Sequence, residues 1–152
     1  MNELEVKIKK LVENAVIPTY AKHGDMGMDL TATSVEYDRD KDCFVYHTGL
    51  AFEVPEGYGM LIFPRSSNRK TDAYMTNHVG ILDSGYRGEL LVCFKHRDSL
   101  RVILNPINYA PYKVGDRVAQ IVIIPYPKVT FKEVNELSES ERGAGGHGST
   151  GN

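Results

Sequence analysis

Residues 115–125 read Gly-Asp-Arg-Val-Ala-Gln-Ile-Val-Ile-Ile-Pro and contain the most apolar run of the chain. A Gly-Asp pair is typical of a tight turn, and the branched residues from Val118 to Ile124 favour a strand. Pro125 then marks the next turn. Gln120 interrupts this apolar run, and a buried amide needs a hydrogen-bond partner. We therefore predict a central strand that holds one polar side chain.

On the N-terminal side of this run, shorter stretches alternate apolar and polar residues with a period of two, which is the strand signal. These stretches are Leu4/Val6/Ile8, Leu50/Phe52/Val54, Tyr58 to Phe63, Leu90/Val92/Phe94 and Val102/Leu104. Turn residues, mainly Gly and Pro, separate them at short intervals. The spacing predicts an all-β protein, with an antiparallel jelly-roll-like barrel or sandwich.

Two segments depart from the strand pattern. Ser66 to Thr76 lacks alternation and predicts one short helix, with Ser66 or Ser67 as its cap. After Leu137 the composition changes to a tail rich in glycine. Glycine loses much backbone entropy on ordering, and the tail has no apolar side chains to offset that loss. We predict a β domain over residues 1–137 and a flexible tail over residues 138–152.

The composition excludes several classes of protein. With 152 residues, 41% hydrophobic and 25% charged, the chain fits one globular domain with a real core. The net charge of −2 disfavours an electrostatic nucleic-acid binder. An acidic N-terminal segment and the lack of a bilayer-length apolar run predict a cytoplasmic protein without a membrane span. Cys43 and Cys93 lack zinc-site spacing, so we expect reduced thiols.

The glycine tail matches two nucleotide-binding patterns in part. Gly143, Gly145 and Gly148 fit GxGxxG, but no helix follows that could direct its dipole at a phosphate, and the P-loop lysine is absent. What remains is a set of glycine amides, the hydroxyls of Ser149-Thr150 and the guanidinium of Arg142. Such groups can wrap around an anion.

Three further clusters place polar side chains beside predicted strands. Pro64-Arg65-Ser66-Ser67 puts a guanidinium and two hydroxyls at the start of the predicted helix, a position that favours phosphate. Residues 77–89 look like a hairpin in which Asp83 precedes Tyr86 by three residues, and Asp83 fits either a general base or an Asx turn. Asp29 fits a metal contact, a turn acceptor or a surface charge.

Taken in order, these clusters resemble the five motifs of the trimeric dUTPase family. They are Gly27–Leu30, Pro64–Ser67, Gly80–Gly88, Gly115–Gln120 and the glycine tail. The resemblance runs from Pro18 to Gly151. It implies a homotrimer of jelly-roll-like protomers, in which three chains build each site and the tail of one chain forms a lid. The implied reaction is hydrolysis of dUTP to dUMP and pyrophosphate by water attack on the α-phosphorus, which keeps uracil out of DNA and supplies dUMP for thymidylate synthesis.

The resemblance also implies roles for the matching residues. Asp83 would orient and deprotonate the water, and Tyr86 would lie against the deoxyribose and exclude a 2′-hydroxyl. The uracil edge would be read by the side chain of Asn77 and the backbone of Ile81, Leu82 and Leu91. The α and β phosphates would be held by Arg65, Ser66, Ser67 and Gln120, and the γ phosphate by Arg142 with the amides of His147 and Gly148. A Mg²⁺ ion would span the triphosphate, contacted by Asp29 through water.

Two other functions remain as alternatives. The dCTP deaminases, including the bifunctional ones, have a related fold and a similar serine-arginine segment, but they place a glutamate where this chain has Asp83-x-x-Tyr86. A non-catalytic jelly-roll module that responds to nucleotide would be expected to have lost Asp83 or Arg142, and this chain keeps both. Hydrolysis of dUTP to dUMP and pyrophosphate is therefore the predicted activity.

Overall fold

The computed structural model describes residues 3–98, 102 and 106–146. In these residues the chain forms ten strands and two 3₁₀ helices. The strands are β1 (Lys7–Lys10), β2 (Met28–Thr31), β3 (Ser34–Asp38), β4 (Cys43–His47), β5 (Leu50–Glu53), β6 (Tyr58–Pro64), β7 (Ala73–Met75), β8 (Gly80–Leu82), β9 (Leu91–His96) and β10 (Arg117–Pro125). The all-β prediction is confirmed.

Two four-stranded antiparallel sheets carry the fold, in the orders β2-β10-β6-β8 and β3-β4-β9-β7, while β1 pairs with β5. Their apolar faces share one core, to which the first sheet contributes Leu30, Met60 and Ile121 and the second Tyr46 and Phe94. This is the jelly-roll-like sandwich expected from the alternating pattern.

The long strand β10 lies inside its sheet, between β2 and β6. Gln120 is opposite Phe63 on one side and Asp29 on the other. A β-bulge interrupts the pairing with β2 between Arg117 and Ala119. Bulges redirect side chains at a sheet. The central apolar run of the sequence thus brings Asp29, Gln120 and the end of β6 together.

The predicted strands β1, β5, β6, β9 and β10 are present. The sequence pattern missed β3, β4 and β7, the last of which lies within the segment predicted as a helix. Residues 43–46 of β4 are all buried. A strand that is buried on both faces shows no polar alternation, so periodicity does not reveal it. Of the predicted strand at Val102/Leu104, Val102 is helical and buried, and Leu104 lies outside the described residues.

The predicted helix is shorter than expected and has a different cap. It is a 3₁₀ helix over Ser66–Lys70, and its N-cap is Arg65, without a side-chain cap hydrogen bond. The assignment of Ser66 or Ser67 as the cap is therefore wrong. Thr71 returns to an extended conformation, with φ −106° and ψ 156°, which leads the chain into β7. A second 3₁₀ helix, not predicted, covers Pro106–Tyr109.

The interpretation of residues 77–89 as a hairpin is wrong. Ile81 in β8 pairs with Leu61 in β6, whereas Leu91 in β9 pairs with His47 in β4. Residues 83–89 therefore form a loop that crosses from the first sheet to the second. The two apolar arms satisfy their backbone groups with other strands, so they do not pair with each other.

Two smaller expectations concern the membrane and the cysteines. In the described ranges of the chain, no helix has the length and apolar character needed to cross a bilayer.

Cys43 is buried, Cys93 is partly buried, and both are free thiols. Burial raises the pKa of each thiol above its usual range. Burial therefore favours the protonated, less nucleophilic form of both thiols.

Candidate active site

A cavity of about 310 Å³ opens between the two sheets, where the loop of residues 83–89 crosses over. Six of the residues singled out in the sequence line it: Asn77, Ile81, Leu82, Asp83, Tyr86 and Leu91. Gly80 makes room for the Asn77 side chain, because a Cβ atom at position 80 would lie 3.2 Å from Nδ2 of Asn77. The tertiary structure thus brings together residues from both sheets and the loop between them.

Asp83 is the first residue after β8 and is exposed at the edge of this cavity. Its carbonyl oxygen accepts a hydrogen bond of 3.0 Å from the amide of Tyr86. Its carboxylate has no hydrogen bond or ion pair with any described residue, so the side chain does not form an Asx turn. Both carboxylate oxygens are therefore free to bind water or another ligand.

Tyr86 folds back over its own loop. Its hydroxyl donates a hydrogen bond of 3.1 Å to the carbonyl oxygen of Glu89. A Cβ atom at position 88 would collide with the Tyr86 hydroxyl, so Gly88 is required for this arrangement. The aromatic ring remains exposed and forms part of the cavity wall. A flat apolar surface thus lies three residues from the free carboxylate.

Backbone groups also face this cavity. β8 is at the edge of its sheet, with β6 on one side. β7 pairs with β9 only from Phe94 to His96, and Leu91 at the start of β9 therefore has β4 as its partner on one side only. An open sheet edge presents N–H and C=O groups that can form hydrogen bonds with a ligand. Ile81 and Leu82 on β8, and Leu91 on β9, lie on such edges.

A second cleft, of about 440 Å³, contains four other predicted residues: Asp29, Arg65, Ser66 and Gln120. The carboxylate of Asp29 accepts hydrogen bonds from two arginines. Arg65 approaches it at 2.6 Å through Nε, and Arg117 at 3.0 Å through a terminal nitrogen. The charges in the cleft balance, because Asp25 also lines it, so an anion would be bound by the directed N–H donors of the two guanidinium groups and not by a net charge.

Arg117 was not singled out in the sequence. It is the first residue of β10 and lies next to the bulge. The available signal was its position directly after the Gly-Asp turn, inside the Gly115–Gln120 motif.

Gln120 and Ser66 complete the wall of this cleft, whereas Ser67 does not line it. The amide nitrogen of Gln120 donates a hydrogen bond of 3.1 Å to the carbonyl of Pro64, so the predicted partner exists. Gly27 packs directly on this side chain, because a Cβ atom there would lie 2.8 Å from Oε1 of Gln120. Ser67 accepts a hydrogen bond of 3.1 Å from Arg65, and Ser66 is exposed. The side chains of Arg65 and Gln120 are thus held in place before any ligand binds.

The described tail residues, 138–146, line neither cavity in this chain. Arg142 is in a turn and donates a hydrogen bond of 2.9 Å to the carbonyl of Gly145. It lines neither the first cavity nor the cleft. His147 and Gly148, which were predicted to close the site, lie outside the described residues. Contact between the tail and the rest of the site is therefore still a prediction.

Glu89 lines the first cavity and was missed in the sequence. Its carboxylate accepts a hydrogen bond of 2.8 Å from the amide of Gly49 and lies 3.0 Å from Nδ1 of His47. The hydrogen bond with Glu89 raises the pKa of His47, against a smaller opposing effect of burial. Nowhere in the described part of the chain are three His, Cys, Asp or Glu side chains grouped closely enough to hold a metal ion.

The first cavity and the second cleft have no lining residue in common. The free carboxylate and the aromatic ring line one of them, and the arginines line the other. Within one chain, therefore, the predicted site residues form two separate groups.

Comparison with known proteins gives a consistent result. The dUTPase family model matches residues 13–151. The deoxyuridine 5'-triphosphate nucleotidohydrolase of Clostridium tetani is 39% identical over 153 residues, covering 99% of both chains. That of Nautilia profundicola is 39% identical over 150 residues, covering 97% of this chain and 99% of its own.

Solved structures agree with these relatives. The Staphylococcus bacteriophage 80alpha dUTPase with dUpNHpp superimposes with a TM-score of 0.77 at 27% identity, covering 97% of this chain and 98% of its own. A mutant dUTPase from phage phi11 of S. aureus, solved for the coordination of a structural Mg(II) ion, gives a TM-score of 0.68 at 25% identity. It covers 88% of this chain and 98% of its own.

Proposed function

Because the chain belongs to the dUTPase family and hydrolyses dUTP to dUMP and pyrophosphate, we propose that its two cavities are the two halves of one active site. The first cavity binds the deoxyuridine, and the second cleft binds the phosphates. The free carboxylate of Asp83 at the rim of the first cavity carries this proposal. A carboxylate without a protein partner can hold a water molecule in a fixed orientation.

Asp83 positions the attacking water and accepts its proton. The water oxygen forms a bond to the α-phosphorus, the bond from that phosphorus to the bridging oxygen breaks, and pyrophosphate leaves. The proton moves to the Asp83 carboxylate and then to solvent. The charge that develops on the phosphate oxygens needs positive groups nearby, and the cleft around Asp29 supplies two guanidinium groups.

Tyr86 and the open sheet edges select the nucleoside. The exposed Tyr86 ring lies against the deoxyribose and leaves no room for a 2′-hydroxyl. The backbone of Ile81, Leu82 and Leu91, with the Asn77 amide, reads the uracil edge. A cytosine would present a donor where these groups also donate, and an unpaired buried polar group costs affinity.

The phosphate cleft is built for an anion. Arg65, Ser66, Ser67 and Gln120 bind the α and β phosphates, and Arg65 is aligned by Asp29 before the substrate arrives. Both oxygens of Asp29 already accept hydrogen bonds from arginine. Direct coordination of Mg²⁺ by Asp29 would compete with these bonds, so contact through a water suits the site better.

A Mg²⁺ ion that enters on the triphosphate fits these residues, because Asp29 offers a free ion no carboxylate oxygen that is not already bonded to arginine. Such an ion would neutralise phosphate charge. Asp29 would contact its water shell, as Mg²⁺ keeps several waters when it binds phosphate.

The halves meet when three copies assemble, and the tail of one copy closes over the site of another. Two observations support this. The two groups of residues share no cavity in one chain. Residues 125–145 are all exposed and include apolar side chains, with Phe131 98% and Leu137 87% exposed. Apolar groups exposed on this scale favour burial against another chain. Arg142, His147 and Gly148 would then bind the γ phosphate.

The test is pyrophosphate release from dUTP, dCTP, dTTP and UTP, measured side by side with Mg²⁺ and with a chelator. We expect release from dUTP far above the other three, and a lower rate with chelator. Equal release from dUTP and UTP would contradict the role of Tyr86. Ammonia release from dCTP would identify a deaminase instead.

A further inference from the structure

Glu89 ties together three parts of the molecule at the end of the loop of residues 83–89. Its two carboxylate oxygens bind different partners: Oε1 accepts from the amide of Gly49, and Oε2 contacts Nδ1 of His47. The next residue is held as well, because Leu90 donates to the carbonyl of Leu50 at 2.9 Å and accepts from the buried Thr48 hydroxyl at 2.7 Å. The end of the loop is therefore fixed to the turn between β4 and β5.

A short path of hydrogen bonds leads from Glu89 to the reacting groups. The carbonyl of Glu89 accepts the hydroxyl of Tyr86, and the amide of Tyr86 donates to the carbonyl of Asp83. At its other end the loop is fixed by β8, which pairs with β6. Between these ends, no described residue outside the loop hydrogen-bonds to the Asp83 or Tyr86 side chain.

We propose that Glu89 is a positioning residue, which acts through the backbone to hold the Tyr86 ring and Asp83 in their productive places. His47 and Gly49 hold Glu89 in turn, and these three residues form the Glu89 anchor. The inference rests on the roles proposed above for Asp83 and Tyr86. A small displacement of a reacting group costs much of the rate even when the protein stays folded.

A second carboxylate beside His47 provides a control for Glu89. Two carboxylates face His47 from the elements packed against it, Glu36 from β3 and Glu89 from the loop. Glu36 lies 3.6 Å from Nε2, its side chain is 67% exposed, and it has no hydrogen bond or ion pair with the described residues of the loop. Replacing Glu36 removes the same charge beside the same histidine, but leaves the loop attached.

The experiment compares Glu89→Ala with Glu36→Ala, using kcat and KM for dUTP and for UTP. We expect Glu89→Ala to lower kcat/KM for dUTP by about 10–10²-fold, mainly through kcat, and to lower the ratio of dUTP to UTP activity. Glu36→Ala should change neither quantity. A structural role alone would lower the melting temperature and leave the dUTP to UTP ratio of the folded enzyme unchanged, and that result would overturn the proposal.

Glu89→Gln provides the conservative variant. Its amide oxygen can still accept from Gly49, so we expect partial recovery of the ratio relative to Glu89→Ala. In the NMR titration of His47, both Glu89 variants should lower the pKa of the ring, because the main cause of its elevation is lost. If Glu89→Ala does not fold, Glu89→Gln and His47→Ala carry the test, and unchanged kinetics in both would refute the Glu89 anchor.

Failure of this inference is distinct from failure of the proposed function. If Asp83→Asn abolishes turnover while Glu89→Ala leaves the kinetics unchanged, the proposed function stands and the Glu89 anchor is wrong. If Asp83→Asn keeps turnover, the assigned base is wrong whatever Glu89 does.

Discussion

Asp29 Oδ1 accepts a hydrogen bond of 2.6 Å from Arg65 Nε, and this contact joins β2 to the residue that follows β6. The two strands are not neighbours, since β10 lies between them. Both side chains are largely shielded, with about a quarter or less of each exposed. An ion pair in such a setting holds the guanidinium plane in one orientation, ready for a phosphate.

Replacing Asp29 with Asn should therefore disorder Arg65 and weaken phosphate binding. We expect kcat/KM for dUTP to fall by about 10–10²-fold. The Asn side chain has one acceptor oxygen, whereas Arg65 and Arg117 each donate to a different oxygen of Asp29. Steady-state kinetics on the folded variant check this. Asp25→Asn is the control, since Asp25 lines the same cleft but accepts only from the amide of Lys22. Equal losses in both variants would argue against a special role for the pair of Asp29 and Arg65.

Replacing Asp83 with Asn should remove the base without disturbing the fold, because the carboxylate has no partner among the described residues. Turnover should fall by about 10²–10⁴-fold, the usual range for a positioned base. Binding of a non-hydrolysable dUTP analogue, measured by calorimetry, should stay within a few-fold. Asp40→Asn, in the exposed turn between β3 and β4, serves as the control. Near-normal turnover in Asp83→Asn would mean that another group activates the water.

Gly88→Ala should displace the Tyr86 ring, because a Cβ atom there collides with the Tyr86 hydroxyl. We expect the preference for dUTP over UTP to fall, since the ring is the surface that excludes a 2′-hydroxyl. Gly85→Ala is a matched control in the same loop, where a Cβ atom would meet nothing within 4 Å. Competition assays with the two nucleotides measure the preference. If both variants keep it, the ring position does not decide sugar choice.

The pair of His47 and Glu89 should make stability depend on pH. The pKa of His47 is raised from an ordinary value of 6.5, so its protonated form is favoured in the folded chain. This stabilisation is fully present below about pH 6.5 and is lost as the pH rises through the raised pKa. We expect melting temperatures of the wild type and His47→Gln to differ most at low pH and to converge above that range. A difference independent of pH would contradict this assignment.

Truncation after Leu137 should separate assembly from catalysis. We expect the shortened chain to form the same oligomer as the full chain, because its strands and core are untouched. It should lose most of its dUTP turnover, because the truncation removes Arg142. Light scattering and pyrophosphate release measure the two properties. The single substitution Arg142→Ala tests the guanidinium alone and should also reduce turnover. Loss of the oligomer on truncation would instead give the tail a structural role.

Much of the fold could be predicted from local patterns. Alternation at Leu50/Phe52/Val54 and the apolar run from Val118 to Ile124 determine which face of each strand is buried, because side chains alternate across a strand. Where burial is two-sided, as in β4, the same reasoning fails. The loop of residues 83–89 was mistaken for a hairpin turn, because two neighbouring apolar arms look alike whether they pair with each other or with separate sheets.

The candidate site was predictable only in its composition. The order of the motifs named Asp29, Arg65, Asp83, Tyr86 and Gln120 as functional residues, and the family comparison supports the activity they imply. Nothing in the local sequence distinguished Arg117 or Glu89 from ordinary surface charges. Both became visible only through their partners, which lie 88 residues away for Arg117 and about 40 for Glu89.

By itself, the sequence determined the class of fold, the central strand and the chemical groups of the site, since these follow from periodicity and residue type within short segments. The tertiary structure alone decided which of those groups meet. It placed Asp29 between two arginines, left the carboxylate of Asp83 without a partner among the described residues, and bonded Glu89 to His47 and Gly49. Strand order sets such contacts, and strand order depends on packing among distant segments, which no short stretch of sequence contains.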